Sequence, residues 1–207
     1  MKRFLIVAAM PEESGGNFEK LGHPVCYTGL GKINGTLKLL RDLSHFAIRG
    51  TTFDAVINLG TVGSASEEEG NVVQVSKFIQ RDMLCEPLAP RYRTPFDAIA
   101  WQINADTCGA WKKVVCGTGD SFVNPDHLKM YTGPDLDYQV VDMEGFAMAR
   151  VCMAMEVKFY SLKYVSDLGD AGSWERRLGT ASKALTNDAS DLIEILKSRK
   201  PTKKRAD

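Results

Sequence analysis

Two kinds of pattern alternate along the chain. Short, nearly continuous apolar runs rich in β-branched residues fall at 3–10, 24–30, 54–60, 71–79, 112–119, 138–143 and 157–167. Runs of that length without strict polar alternation suit strands covered on both faces. Between them, apolar residues recur at three- and four-residue spacing over 32–48, 95–108, 143–156 and 173–199, which predicts helices. Strands alternating with helices indicate an α/β domain with a mostly parallel or mixed sheet. No internal repeat and no Pro/Gly-rich linker divides the sequence, so one domain is expected over 1–199. The basic segment 200–207 reads as a solvated, flexible tail.

One helical run carries a discordant residue. In VVDMEGFAMARVCMAMEV (140–157), Glu144, Met148, Val151, Cys152 and Met155 share one helix face. Four of the five are apolar, yet a carboxylate heads the stripe. The apolar members need no role beyond packing. Glu144 in a first helical turn gains from the macrodipole, and Asp142 is placed to cap the helix.

Composition narrows the function classes. Net charge is zero across 207 residues, without the basic surplus usual in nucleic-acid binders. No stretch approaches the roughly 20 apolar residues of a membrane-spanning helix, so no membrane partner is expected. The N-terminal MKRFLIVAAMPEES has a short apolar run followed at once by acids, which reads as a first strand rather than a signal segment. Five cysteines (Cys26, Cys85, Cys108, Cys116, Cys152) lack CxxC spacing and read as free thiols in a reducing, cytoplasmic setting. The three histidines form no ligand pattern, and neither a metal nor a cofactor is expected.

Candidate chemistry collects at the strand ends, where open α/β sheets bind ligands. The first strand ends in AMPEE with Glu12 and Glu13, the third in NLGTVGS, the fifth in GTGDSFV, the sixth in DMEG and the last in SDLGD. Each has a plain structural reading. Glu12 and Glu13 favour a helix N-terminus. GTVGS is a possible turn and is neither a P-loop nor GxGxxG. Asp120, Asp142 and Asp167 could be turn or cap residues. Their recurrence at strand ends is what a structural role does not explain.

The ordered series AMPEE, TGLGKING, INLGTVGS, TGDSFV, VVDMEGFAMA and VSDLGD, from residue 8 to residue 170, resembles the purine nucleoside phosphorylase/uridine phosphorylase superfamily. Within it the motifs look most like 5′-methylthioadenosine/S-adenosylhomocysteine nucleosidases. The resemblance implies a three-layer sandwich with a central mixed, partly barrel-like sheet flanked by helices. It implies hydrolysis of an adenosine-type N-glycosidic bond, with a nucleoside and water as the small-molecule partners and a homodimer that completes the 5′ pocket. It also implies roles. Glu13 would activate water, and Asp167 would protonate the purine, supported by Ser166. Glu144 would accept hydrogen bonds from the ribose hydroxyls, with Met143 beneath the sugar. Phe122 would stack on the base and Val123 would read its edge. Thr61, Val62 and Gly63 would line the ribose and water site, with Met10 and Asp142 beside them.

Two departures from the phosphorylase pattern favour water as nucleophile. A phosphorylase must bind a dianion, typically at a Gly-Asp-Pro turn after the first strand; here that place reads Met10-Pro11-Glu12-Glu13. The strand before GTVG carries Asn58 where phosphorylases often have an arginine. A third departure concerns specificity. Arg81 stands, with Asp82 after it, where related nucleosidases have a His-Asp pair. It could favour a polar or carboxylate-bearing 5′ group, or serve as a surface or interface residue. A futalosine-type or broader purine nucleosidase is the alternative inside the family. An inert nucleoside-binding homologue or an unrelated flavodoxin-like domain is the alternative outside it.

Overall fold

The computed structural model describes residues 2–64, 66–96, 102–123, 137–167 and 171–199. Eight strands among them form one mixed sheet: β1 (Phe4–Ala8), β2 (Val25–Tyr27), β3 (Ala55–Gly63), β4 (Val72–Gln80), β5 (Gln102–Asn104), β6 (Lys113–Thr118), β7 (Val140–Asp142) and β8 (Lys158–Asp167). The helices are α1 (Pro11–Ser14), α2 (Lys32–Ile48), α3 (Gly145–Ala154) and α4 (Ala171–Ser198), with a 3-10 turn at Phe18–Leu21. Helix α1 ends after one turn, where the Gly15-Gly16 pair follows it. The basic segment 200–207 lies outside the described residues.

The strand order is β2-β1-β3-β7-β6-β4-β5, and β8 bridges β3 and β4. That bridge closes β3, β7, β6, β4 and β8 into a ring, the barrel-like part of the sheet. β1 and β2 extend it as a parallel wing on β3. Helix α2 connects β2 to β3 across β1, and α3 connects β7 to β8 across β3.

Alternation along the strands sends side chains to two cores. Phe4, Ile6, Ala55, Ile57, Leu59, Tyr160, Leu162 and Tyr164 pack with Leu185, Leu192 and Leu196 of α4. Leu5, Val7, Val56, Val62, Phe159 and Val165 pack instead with Leu39 and Leu43 of α2 and Met148, Val151 and Cys152 of α3. Helices on both faces of the sheet make the expected sandwich.

One predicted element is overturned. A helix was expected over 95–108, but Gln102–Asn104 form a strand antiparallel to β4. Ile103 is buried opposite Phe78, while Gln102 is half-buried and Asn104 exposed. The outer edge of β4 needs backbone partners, and only an extended segment supplies them. Residues 97–101 of that expected helix lie outside the described residues.

Candidate active site

Glu13 is the best-anchored acid of the molecule's strand-end cluster. It sits in α1, directly after β1, and is 6% exposed. Its Oε1 accepts hydrogen bonds from the Thr61 backbone N–H at 3.0 Å and the Thr61 hydroxyl at 3.2 Å. Its Oε2 accepts from the Ala9 N–H at 3.1 Å and the Met10 N–H at 3.4 Å. The end of β1 and the GTVG end of β3 therefore share one carboxylate. Glu12, its neighbour, is exposed.

Asp142 ends β7 and serves the fold in three ways. Its Oδ1 accepts from the Thr118 hydroxyl at 2.6 Å, and its Oδ2 accepts from the Gly145 N–H at 3.1 Å, at the start of α3. The same Oδ2 lies 3.2 Å from the Lys163 ammonium, and both side chains are almost fully buried. Glu144, two residues on, hangs from a different element: its Oε1 accepts from the Gly31 N–H at 2.8 Å, just before α2.

These acids are electrostatically coupled. Burial, reinforced by the Asp142 charge, pushes Glu144 up to about 7, against the opposing pull of the Gly31 hydrogen bond. Burial alone would lower Lys163; the carboxylates of Asp142 and Glu13 outweigh it and hold the ammonium above its ordinary value. Three buried carboxylates thus surround one buried cation. A side chain at position 60 would crowd them, since a Cβ there would lie 3.1 Å from Glu13 Oε1 and 3.2 Å from Lys163 Nζ. Gly60 keeps that gap open.

The groups converge on one cavity of about 250 Å³, near the lower end of small-molecule sites. Its walls include Met10, Glu13, Thr61, Val62, Gly63, Phe122, Val123, Asp142, Met143, Glu144 and Ser166, which are the expected site residues apart from Asp167. Asp167 ends β8 with its backbone opposite Gly63, after a register shift between Val62 and Gly63. Its side chain, and residues 168–170 of SDLGD, lie outside the described residues. The Ser166 hydroxyl donates to the Val62 carbonyl at 3.4 Å, joining the ends of β3 and β8.

Sequence reasoning missed Lys163, Leu30 and Thr118. A lysine within the apolar strand VKFYSLKYVSD was a readable signal, because lysines are seldom fully buried unless paired. Leu30 lines the cavity mouth, and only the fold brings it there. Asn58, at the position where a phosphate-binding arginine would stand, is 1% exposed and hydrogen-bonded through both its amide nitrogen and its oxygen. Its amide donates to the Val7 carbonyl, and its Oδ1 accepts from the Ser161 hydroxyl at 2.9 Å. Among the described residues, no cluster of three His, Cys, Asp or Glu side chains could hold a metal ion, and no helix is long and apolar enough to cross a membrane.

Known proteins resemble this chain in sequence and in fold. A 5′-methylthioadenosine/S-adenosylhomocysteine nucleosidase of Geobacillus kaustophilus is 26% identical over 213 residues, spanning 94% of this chain and 88% of that one. A protein of the same name from Maridesulfovibrio salexigens is 27% identical over 195 residues, spanning 82% and 78%. Two Helicobacter pylori structures share the fold at a TM-score of 0.80. One is a 5′-methylthioadenosine/S-adenosylhomocysteine nucleosidase with butyl-thio-DADMe-Immucillin-A, 22% identical over 94% of this chain and 99% of that one. The other is a futalosine hydrolase mutant, 19% identical over 94% and 100%. The family model described as the phosphorylase superfamily matches residues 20–197, and this chain belongs to that superfamily.

Proposed function

We propose that this protein is a nucleosidase that hydrolyses the N-glycosidic bond of a 5′-substituted adenosine, of the 5′-methylthioadenosine/S-adenosylhomocysteine type, and releases adenine. The observation that carries the reading is the cavity floor. Glu13 is held by four hydrogen bonds beside Glu144 and Asp142, and the place of a phosphate-binding arginine is taken by the buried, hydrogen-bonded Asn58. Carboxylates repel a phosphate dianion, and they stabilise the positive charge that develops on the sugar as the bond breaks.

In this reading Glu13 takes a proton from water as its oxygen bonds to the anomeric carbon. The electron pair of the breaking C–N bond passes to the purine, which leaves as the neutral base once Asp167 donates a proton to N7. Ionised Glu144 accepts hydrogen bonds from the ribose hydroxyls, with Met143 beneath the sugar. Phe122 stacks on the base, and the backbone of Val123 reads its edge.

A homodimer and a cytoplasmic location belong to the same reading. Ile33, Leu37 and Leu40 form an exposed apolar stripe along α2 (72%, 62% and 40% exposed), continuous with Leu30 at the cavity mouth. A second copy laid on that stripe would close the 5′ end. The five free thiols suit a reducing compartment.

A panel of nucleosides, with and without phosphate, tests the reading by free-base release. Adenine and free ribose-type sugar should form from 5′-methylthioadenosine without phosphate. Strict phosphate dependence with a sugar 1-phosphate product would overturn hydrolysis. Preferential cleavage of a carboxylate-bearing nucleoside would favour the futalosine-type alternative, which the equal TM-score of the futalosine hydrolase keeps in view.

A further inference from the structure

Arg81 follows directly on β4 and lies in the cavity wall, but its charge is directed at the protein's own backbone. Its Nη2 donates to the Gly119 carbonyl at 3.0 Å and to the Ser121 carbonyl at 2.5 Å. Its Nη1 donates to the Ser121 hydroxyl at 3.1 Å. The guanidinium lies so flat on the loop that a Cβ at position 119 would come within 2.8 Å of Arg81 Cζ. The second glycine of GTGDSFV thus makes room for Arg81. Nε is buried without a hydrogen-bond partner among the described residues.

The other side of the loop is tied down as well. Asp82 Oδ2 accepts from the Asp120 N–H at 2.9 Å, and Asp82 Oδ1 accepts from the Lys32 ammonium at 2.6 Å. Asp120 Oδ1 accepts from the Lys32 backbone N–H at 2.8 Å. Lys32 begins α2, and the preceding Gly31 N–H is the group that holds Glu144. One corner of the fold therefore anchors both the loop that ends in Phe122 and the carboxylate of Glu144. Phe122 is 54% exposed and has little packing of its own to fix it.

We propose that Arg81 is a positioning residue: its guanidinium fork clamps the 119–121 backbone and so sets Phe122 as the wall on which the base rests. The proposal rests on the nucleosidase reading for the identity of the ligand. It assigns Arg81 to the loop and not to an anionic 5′ group, because three hydrogen bonds direct its guanidinium to Gly119 and Ser121. Lysine is a poor replacement, since Nη2 holds both carbonyls while Nη1 holds the Ser121 hydroxyl, and a single ammonium has no second nitrogen to reach all three acceptors in one plane.

The test has two arms. In ligand-free protein, Arg81→Ala should speed amide hydrogen exchange at Asp120 and Ser121 by roughly tenfold or more, leaving β4 and β6 unchanged, as expected for loss of charge-assisted hydrogen bonds. In turnover, Arg81→Ala and Arg81→Lys should raise KM about tenfold, with a smaller fall in kcat. The rise should be equal for nucleosides with apolar and carboxylate-bearing 5′ groups. Combined with Phe122→Ala, Arg81→Ala should add little, because both changes remove the same wall. Unchanged exchange at Asp120 and Ser121 overturns the clamp. So does a KM increase confined to the carboxylate-bearing substrate, or full additivity with Phe122→Ala. If the wild-type protein cleaves no nucleoside at all, the nucleosidase reading fails, and the exchange arm still decides the clamp.

Discussion

On one face of the β3–β8 pair, Ala55, Ile57 and Leu59 lie among Tyr160, Leu162 and Tyr164 under helix α4, and every group there is part of one apolar core. On the other face the same two strands set Asn58 beside Ser161 and Gly60 beside Lys163. The first face gains stability from dry packing. The second gives some of it up, because buried carboxylates and an ammonium are costly unless each is paired and hydrogen-bonded. A strand's two-residue period lets one sheet carry both tasks within a few ångströms of each other. Four substitutions would break or sharpen this division.

The largest effect is expected on the polar face. Glu13→Gln should lower kcat/KM for base release by about 10²–10⁴, the usual scale for loss of a general base. Activity within tenfold of wild type, measured by steady-state kinetics, would remove Glu13 from the chemistry.

Lys163→Met comes next. It leaves Asp142 buried without a counter-charge and should cost about 3–5 kcal/mol in urea unfolding. Adding Asp142→Asn should recover much of that loss. A single variant as stable as wild type would show that the pair is not a strut.

Leu185→Ala probes the dry face. Leu185 is fully buried under the sheet, and its truncation should cost about 2–5 kcal/mol. Turnover per folded molecule should not change. A shifted KM would show that the two faces are coupled.

Glu144→Gln comes last and acts on stability with the opposite sign. Glu144 titrates at about 7 in the fold against an ordinary 4.5, so the folded chain holds this proton more tightly than the unfolded chain. Its ionisation therefore costs stability as pH rises through that window, and the cost is complete above about 7. Glutamine carries no such cost. The variant should gain on wild type between those pH values and level off on the order of 3 kcal/mol more stable, while binding nucleoside less well. A stability difference that is flat from pH 5 to pH 8 would contradict the assigned titration.

Much of this division was legible in the sequence, though unevenly. The helix over 32–48 and the alternation of strands and helices follow from hydrophobic period alone. The cavity residues came from motif order, since nothing in local pattern separates Glu13 from Glu12. The 95–108 segment misled because its apolar residues fit two periods, and the open edge of β4 chose between them. Arg81 was recognised as unusual, but its partners at Gly119 and Ser121 lie about forty positions away.

By itself, then, the sequence determined the α/β class, the element order and which short motifs could hold chemistry, because period and turn residues act locally. Only the tertiary structure decided the closure of the ring through β8, the convergence of the strand ends on one cavity, and the pairing of Lys163 with Asp142. Those depend on contacts between segments far apart in the chain. Burial within them is also what moves the titration of Glu144 and Lys163, so the chemistry of the site became readable only when its surroundings were known.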